Sequence, residues 1–360
     1  MPNNDYFAQR DSFNLRKLYD ILDNMPSFCR EYFVGIESST TVLTRLNYAY
    51  DLRLFFYYLT TEQTPHAGKL IKDITLHDIE TLASYEIEKY LSYLSYYENS
   101  EGKNQINSEK GKARKLSSLR AFIKFFLAKE YITRDPTVVI RKPKIKDKEI
   151  IRLEHSEVED LIEVAENGTG MSEHQQNYHK NTAIRDTALV SLMLGTGIRI
   201  SELVGLDIDD INFADSSFVI TRKGGNRVQL YFNQEVGGLL YEYYELRLHN
   251  QRVDKSEKAL FLSLQNTRLT TRAIQNIVKK YSHLVTPLKR ITPHKLRSTF
   301  GTELYKNTGD IYVVADVLGH KDVNTTKKHY AAISDNIRRN ASKKVVLRQE
   351  ITESDDDTLK

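Results

Sequence analysis

The chain holds a single cysteine, Cys29, and no tryptophan. One thiol cannot form an internal disulfide framework, so the sequence suits a reducing compartment rather than a cross-linked secreted scaffold. No apolar run approaches the roughly twenty residues of a membrane span. The opening Met1-Pro-Asn-Asn-Asp has neither the basic nor the apolar region of a secretory signal. These absences predict a soluble, cytoplasmic protein.

Charge is present, but unevenly. The last eleven residues, Glu350 to Lys360, hold five acidic residues and one lysine, or −4 within a chain of net +4. Residues 1–349 therefore carry +8. A basic body favours a polyanionic partner, although charge alone does not separate DNA from RNA or a membrane surface. At 360 residues, 40% of them hydrophobic, the chain has room for two domains, each with its own core.

Taken in order, residues 38–60 read as a helix, with caps offered by Ser38, Ser39 and Thr40. Leu43, Leu46, Tyr50, Leu54 and Tyr57 recur along it at helical spacing. Arg45 and Arg53 lie among them as candidate phosphate contacts. A helix over about 85–97 follows, then a polar loop over 98–108. The next helix, roughly 109–129, sets a stripe of Leu116, Leu119, Ile123, Phe126 and Leu127 against Lys112, Arg114, Lys115, Arg120 and Lys124. A solvated amphipathic face gives that pattern, and so does a DNA-gripping one.

Between Arg134 and Lys148 stand six basic residues, two acidic ones and two prolines, Pro136 and Pro143. Proline removes a donor and restricts its neighbour, which predicts an extended, basic interdomain linker over 136–150. The expected domains are then 1–135 and 151–349, with an acidic, disordered tail over 350–360. Residues 165–182 break the helical pattern and read as a surface loop. His174 and His179 lie in it without a third ligand at metal-binding spacing, so no metal site is assigned. Two alternating runs, Ser217–Arg222 and Arg227–Phe232, flank Lys223-Gly224-Gly225-Asn226 and predict a β-hairpin with Lys223 at its tip. From there to Tyr330 the pattern is mostly helical.

Two stretches carry chemistry. Asp186 to Asn212 reads as an apolar helix, a Gly-Thr-Gly turn, and Arg199 opening a second amphipathic helix. Thr292 to Ile333 opens with His294-Lys-Leu-Arg297, one helical turn apart. It continues through Leu318-Gly319-His320, a turn in which glycine supplies backbone freedom, to Tyr330 after Lys327, Lys328 and His329. Taken singly, each residue has a plain alternative. Arg199 could be a cap or an ion pair with Glu202, His320 could close a turn, and Tyr330 is one of 22 tyrosines.

Together the boxes Gly197-Ile-Arg199-Ile-Ser-Glu-Leu203 and His294 to Tyr330 resemble the tyrosine recombinases, the phage integrase family. Its motifs GxRxSEL and HxLRxTF…LGHxxxxTTxxxY are present nearly in full. The resemblance implies a mainly α, two-domain fold. An N-terminal all-α DNA-binding (SAM-like, core-binding) domain would precede a C-terminal α+β catalytic domain with a small β-hairpin or sheet, the two closing on DNA as a C-shaped clamp. It also makes Arg45, Lys112, Lys115, Arg120 and Lys124 DNA-binding candidates.

The implied catalytic set is Arg199, Lys223, His294, Arg297, His320 and Tyr330. Attack on phosphorus builds charge on the equatorial oxygens, which arginine's planar fork matches. The histidines can bond the same phosphate or exchange protons near neutral pH. Lys223 suits a general acid for the departing 5′ oxygen. Tyr330 would be the nucleophile, storing the bond as a 3′-phosphotyrosine for rejoining. No cofactor is implied.

Within the family, the opening residues and the whole chain most resemble the Xer recombinases. That resemblance implies an enzyme working alone at a dif-like chromosomal site, as a tetramer on two duplexes through a Holliday junction. It would resolve chromosome dimers at cell division under the DNA translocase FtsK. The amphipathic, basic segment 336–348 would dock on a neighbouring protomer. A mobile-element integrase, a type IB topoisomerase and a non-enzymatic DNA-binding module are the rival readings.

Because no acidic cluster at metal-ligand spacing accompanies the arginines, DNA cleavage is expected to survive excess EDTA and to need no nucleotide. Cleavage lost in EDTA and restored by magnesium would point to a metal-dependent nuclease.

Overall fold

The structure is a computed structural model describing residues 6–62, 64–99, 102–145, 151–222, 225–320 and 322–323. The chain divides into two compact units, residues 1–148 and 149–360.

The first unit is helical: α1 (Tyr6–Leu22), α2 (Phe28–Gly35), α3 (Val42–Thr61), α4 (Leu76–Glu80), α5 (Ser84–Tyr93) and α6 (Glu109–Ala128). The expected loop after α5 contains a minimal antiparallel pair, β1 (Tyr97–Glu98) and β2 (Asn104–Gln105). Helix α3 starts later than expected. Residues 37–39 form a 3-10 turn, and Thr41 caps the helix by accepting from the Thr44 amide at 3.3 Å. Aromatic rings hold α2, α3 and α6 together, with Phe28, Tyr32, Phe56, Phe122 and Phe126 meeting mostly edge to face.

The buried line of α3 is Arg45, Ala49, Leu52, Phe56 and Leu59, while Leu43 and Tyr50 are exposed. Of the apolar stripe read from the sequence, Leu46 is thus buried and Leu54 packs against the core, while Leu43 and Tyr50 face solvent. Below the core, Asp51 is buried and bonded to α6. It accepts from both Nη atoms of Arg114, the Nη2 bond being 2.7 Å, and from Ser118 Oγ at 2.7 Å. Residues 136–140, expected to begin the linker, instead form a turn packed into this unit. Ser84 Oγ donates to the Pro136 carbonyl at 3.0 Å and Ile140 is buried in the core.

The second unit comprises α7 (His155–Asn167), α8 (Glu173–His179), α9 (Ala183–Thr196), α10 (Ile200–Val204), α11 (Gln234–Leu248), α12 (Thr271–Val285), α13 (Pro293–Thr308) and α14 (Ile311–Leu318). A three-stranded antiparallel sheet stands between α10 and α11, ordered β3 (Ile211–Asn212), β4 (Ser217–Thr221), β5 (Arg227–Tyr231). Helix α9 is apolar nearly all round and buried from Asp186 to Leu194, packed by α7, α11 and α13.

The expected surface loop over 165–182 is largely helical. α7 runs to Asn167, and α8 is opened by a capping box between Ser172 and Gln175. His179 is buried at its end, its Nδ1 3.1 Å from Tyr281 Oη and its Nε2 3.2 Å from the Glu166 carbonyl. Tyr281 also donates to buried Asp186 at 2.8 Å. Burial first, then the negative charge of Asp186, pushes the tyrosine's pKa well up, so it stays a donor. Among the described residues no helix is long and apolar enough to cross a membrane.

Asp51→Ala should destabilise the first unit by roughly 2–3 kcal/mol, since it strips Arg114 and Ser118 of a buried charged acceptor. Denaturant titration checks this, and an unchanged midpoint would contradict the role given to Asp51.

Candidate active site

Helix α14 ends at Gly319, whose φ of +59° stops the helix in the left-handed region. The Gly319 and His320 amides close back on Asp316 and Ala315, each at 2.8 Å. That stop leaves the carbonyls of Val317, Leu318 and Gly319 without helical partners. Each accepts from a different arginine. Arg222 Nη2 donates to Val317 at 3.0 Å, Arg297 Nη2 to Leu318, and Arg199 Nη2 to Gly319 at 2.8 Å.

The two arginines of the sequence motifs are anchored further. Arg297, buried on α13, also donates through Nη1 to the carbonyl of Gly197, at the end of α9. Gly197 has φ +61°, and a Cβ there would run into the Phe300 ring of α13. This close approach is what the Gly-Thr-Gly turn provides. Arg199 is the N-cap of α10. Its Nη1 donates to Glu202 Oε1 at 2.8 Å and its backbone amide to Oε2 at 2.9 Å, with Glu202 buried. The plain reading of Arg199 as cap and ion pair thus holds. A carboxylate on one side and a carbonyl on the other fix the fork in place.

His294 lies in the first turn of α13, exposed, three residues before buried Arg297. His320, half-buried, directly follows the gripped carbonyls. Arg199, Arg297 and the turn leading into His320 are therefore joined through one helix end. Lys223, Tyr330, the segment 336–348 and the acidic tail lie outside the described residues. Sequence reasoning missed Arg222, although its place just before Lys223 in the hairpin was a visible signal.

In the first unit, two DNA-binding expectations are corrected. Arg45 is buried, bonded to Glu37 Oε1 at 2.6 Å, with its Nε lacking a partner among the described residues. Arg120 turns inward too, its Nη2 donating to the carbonyls of Thr137, at 3.1 Å, and Ile140. Lys115 is largely covered, 3.6 Å from Asp51, and desolvation lowers its pKa. Lys112 pairs with Glu109 at 2.8 Å. Lys124 is exposed, in line with exposed Lys110, Arg114 and Ser117 at helical spacing. That line is the solvent-facing cationic edge of α6.

Comparison with known proteins agrees with the motifs. The profile of the Phage integrase family matches residues 151–336. The chain belongs to this family, the tyrosine recombinases, enzymes that cleave and rejoin DNA. More particularly, it is similar to Xer proteins. It is 31% identical over 313 residues to tyrosine recombinase XerC of Caldanaerobacter subterraneus, covering 84% of this chain and 81% of that one. It is 29% identical over 321 residues to tyrosine recombinase XerD of Staphylococcus haemolyticus, covering 88% and 97%. The fold resembles that of the XerH site-specific recombinase bound to palindromic difH substrate, with a TM-score of 0.66 at 18% identity over 91% of this chain and 88% of that one.

If the exposed edge of α6 meets phosphates, Lys110→Ala with Lys124→Ala should flatten the log–log salt dependence of DNA binding by ~0.9 for each phosphate no longer neutralised. Arg45→Ala should leave the slope alone and lower thermal stability instead. A slope change on Arg45→Ala, with none for the lysines, would return DNA binding to the residues first expected.

Proposed function

We propose that the chain is a site-specific recombinase of the Xer kind that cuts each strand through Tyr330. The convergence of Arg199 and Arg297 on the turn preceding His320 carries this reading. It holds two guanidiniums beside each other, where the charge of a five-coordinate phosphorus develops. Tyr330 Oη attacks the phosphorus, the bond to the 5′ oxygen breaks, and a 3′-phosphotyrosine remains. Lys223 gives the proton that leaves with the 5′ oxygen. His294 and His320 bond the phosphate oxygens or take the phenolic proton. The reverse attack by a 5′ hydroxyl of the other duplex restores the backbone and frees Tyr330. The stored bond serves rejoining without a high-energy cofactor.

Likeness to XerC and XerD, and to the fold of a recombinase solved on a difH substrate, supports a dif-like chromosomal target. Resolution of chromosome dimers before division, by four protomers on two duplexes and under FtsK, is the biological role that fits such a target. Segment 336–348 would couple each Tyr330 to the adjacent protomer.

Cells expressing the protein are lysed in denaturant, and DNA that remains attached to it is sequenced. Wild type should carry one palindromic chromosomal locus, and Tyr330→Phe none. Attachment at the ends of an integrated element would make the chain a mobile-element integrase. Attachment scattered without sequence preference would favour a type IB topoisomerase.

A further inference from the structure

We propose that Arg222 is a positioning residue of this site, acting through the turn that carries His320; the inference rests on the recombinase reading above. A helix C-terminus bears partial negative charge, and three of its carbonyls here stand beside the place assigned to a phosphate. Arg199 and Arg297 hold two of them and must also face the phosphate. Arg222 holds the third, Val317 O, at 3.0 Å. It does so from a separate part of the fold. Its own amide donates to Asn226 O at 2.8 Å and its carbonyl accepts from Gly225 N at 3.0 Å, so it forms the base of the β4–β5 turn.

Two further observations show how tightly it is placed. A Cβ on Gly319 would run into the Arg222 guanidinium, so the glycine provides the room this arginine occupies as well as the left-handed turn. The Arg222 Nε is buried without a hydrogen-bond partner among the described residues. Its Nη2 still reaches the Val317 carbonyl at 3.0 Å. With its guanidinium against Gly319 and its Nη2 on Val317, Arg222 closes the third side of the turn, and the next residue is His320. Removing it frees Val317 O and lets Leu318–His320 shift against Arg199 and Arg297. A misplacement of this kind loses rate more than binding.

The test uses the full chain, a nicked duplex that traps the covalent adduct, and single-turnover rates. Arg222→Gln should slow adduct formation by between about tenfold and a hundredfold, with half-site affinity within about twofold. Arg222→Lys, which keeps one donor for Val317, should recover part of the rate, and it serves as the test variant if Arg222→Gln does not fold. Placed in a His320→Ala background, Arg222→Gln should add less than about a twofold further loss, because the two act through one turn. Multiplying losses in the double variant, an affinity loss as large as the rate loss, or a wild-type rate in Arg222→Gln would each overturn the assignment. Failure of the wild type itself to form an adduct would instead reject the recombinase reading.

Discussion

Three arginines converge on the C-terminus of α14, and the second unit is arranged around them. The last carbonyls of α14 carry partial negative charge, yet two arginines of the family motifs reach their positions by bonding to those carbonyls. The same bonds that neutralise the helix end also fix the guanidiniums. Each fork is bonded through both terminal nitrogens, Arg199 to Glu202 and Gly319, Arg297 to Gly197 and Leu318. Preorganisation of this sort is what lets fixed charge, rather than moving solvent, stabilise a developing dianion.

The packing follows from that requirement. Arg297 also reaches the end of α9, which demands a glycine at 197 so that α13 can approach. Glu202 is buried to steer Arg199, and a buried carboxylate without its arginine would be strongly destabilising. The apolar α9, enclosed by α7, α11 and α13, gives the turn at 196–199 a rigid base. In the first unit charge is used in two ways. Asp51, gripping Arg114, and Arg120 hold helices and a turn together from within, while Lys110 and Lys124 on the same helix face solvent.

Much of this was legible in the sequence, because the signals were local. The β4–β5 hairpin, α6, and the pairing of Arg199 with the Gly-Thr-Gly turn follow from alternation, helical spacing and punctuation. Arg45 was misread because the apolar residues of α3 occupy more than one face. Spacing alone could not tell the stripe through Leu43 and Tyr50 from the one through Ala49 and Phe56. Arg120 looked like surface because its acceptors, the carbonyls of residues 137 and 140, come from a segment whose prolines suggested an extended linker. Helix α8 was overlooked although Ser172 and Gln175 spell a capping box. Its seven residues offer too little periodicity to register. Arg222 belongs to neither motif, and only the tertiary structure brings it to α14.

The central claim is that Arg297 acts on the phosphate during reaction rather than merely holding α14. The most direct measurement compares single-turnover cleavage and half-site affinity for Arg297→Ala and Arg297→Lys. A role in stabilising developing charge predicts a rate loss of roughly 10²–10³ in Arg297→Ala, only weak recovery by a lysine that lacks the planar fork, and nearly unchanged affinity. Losses confined to affinity, with cleavage of the bound duplex proceeding at the wild-type rate, would contradict it.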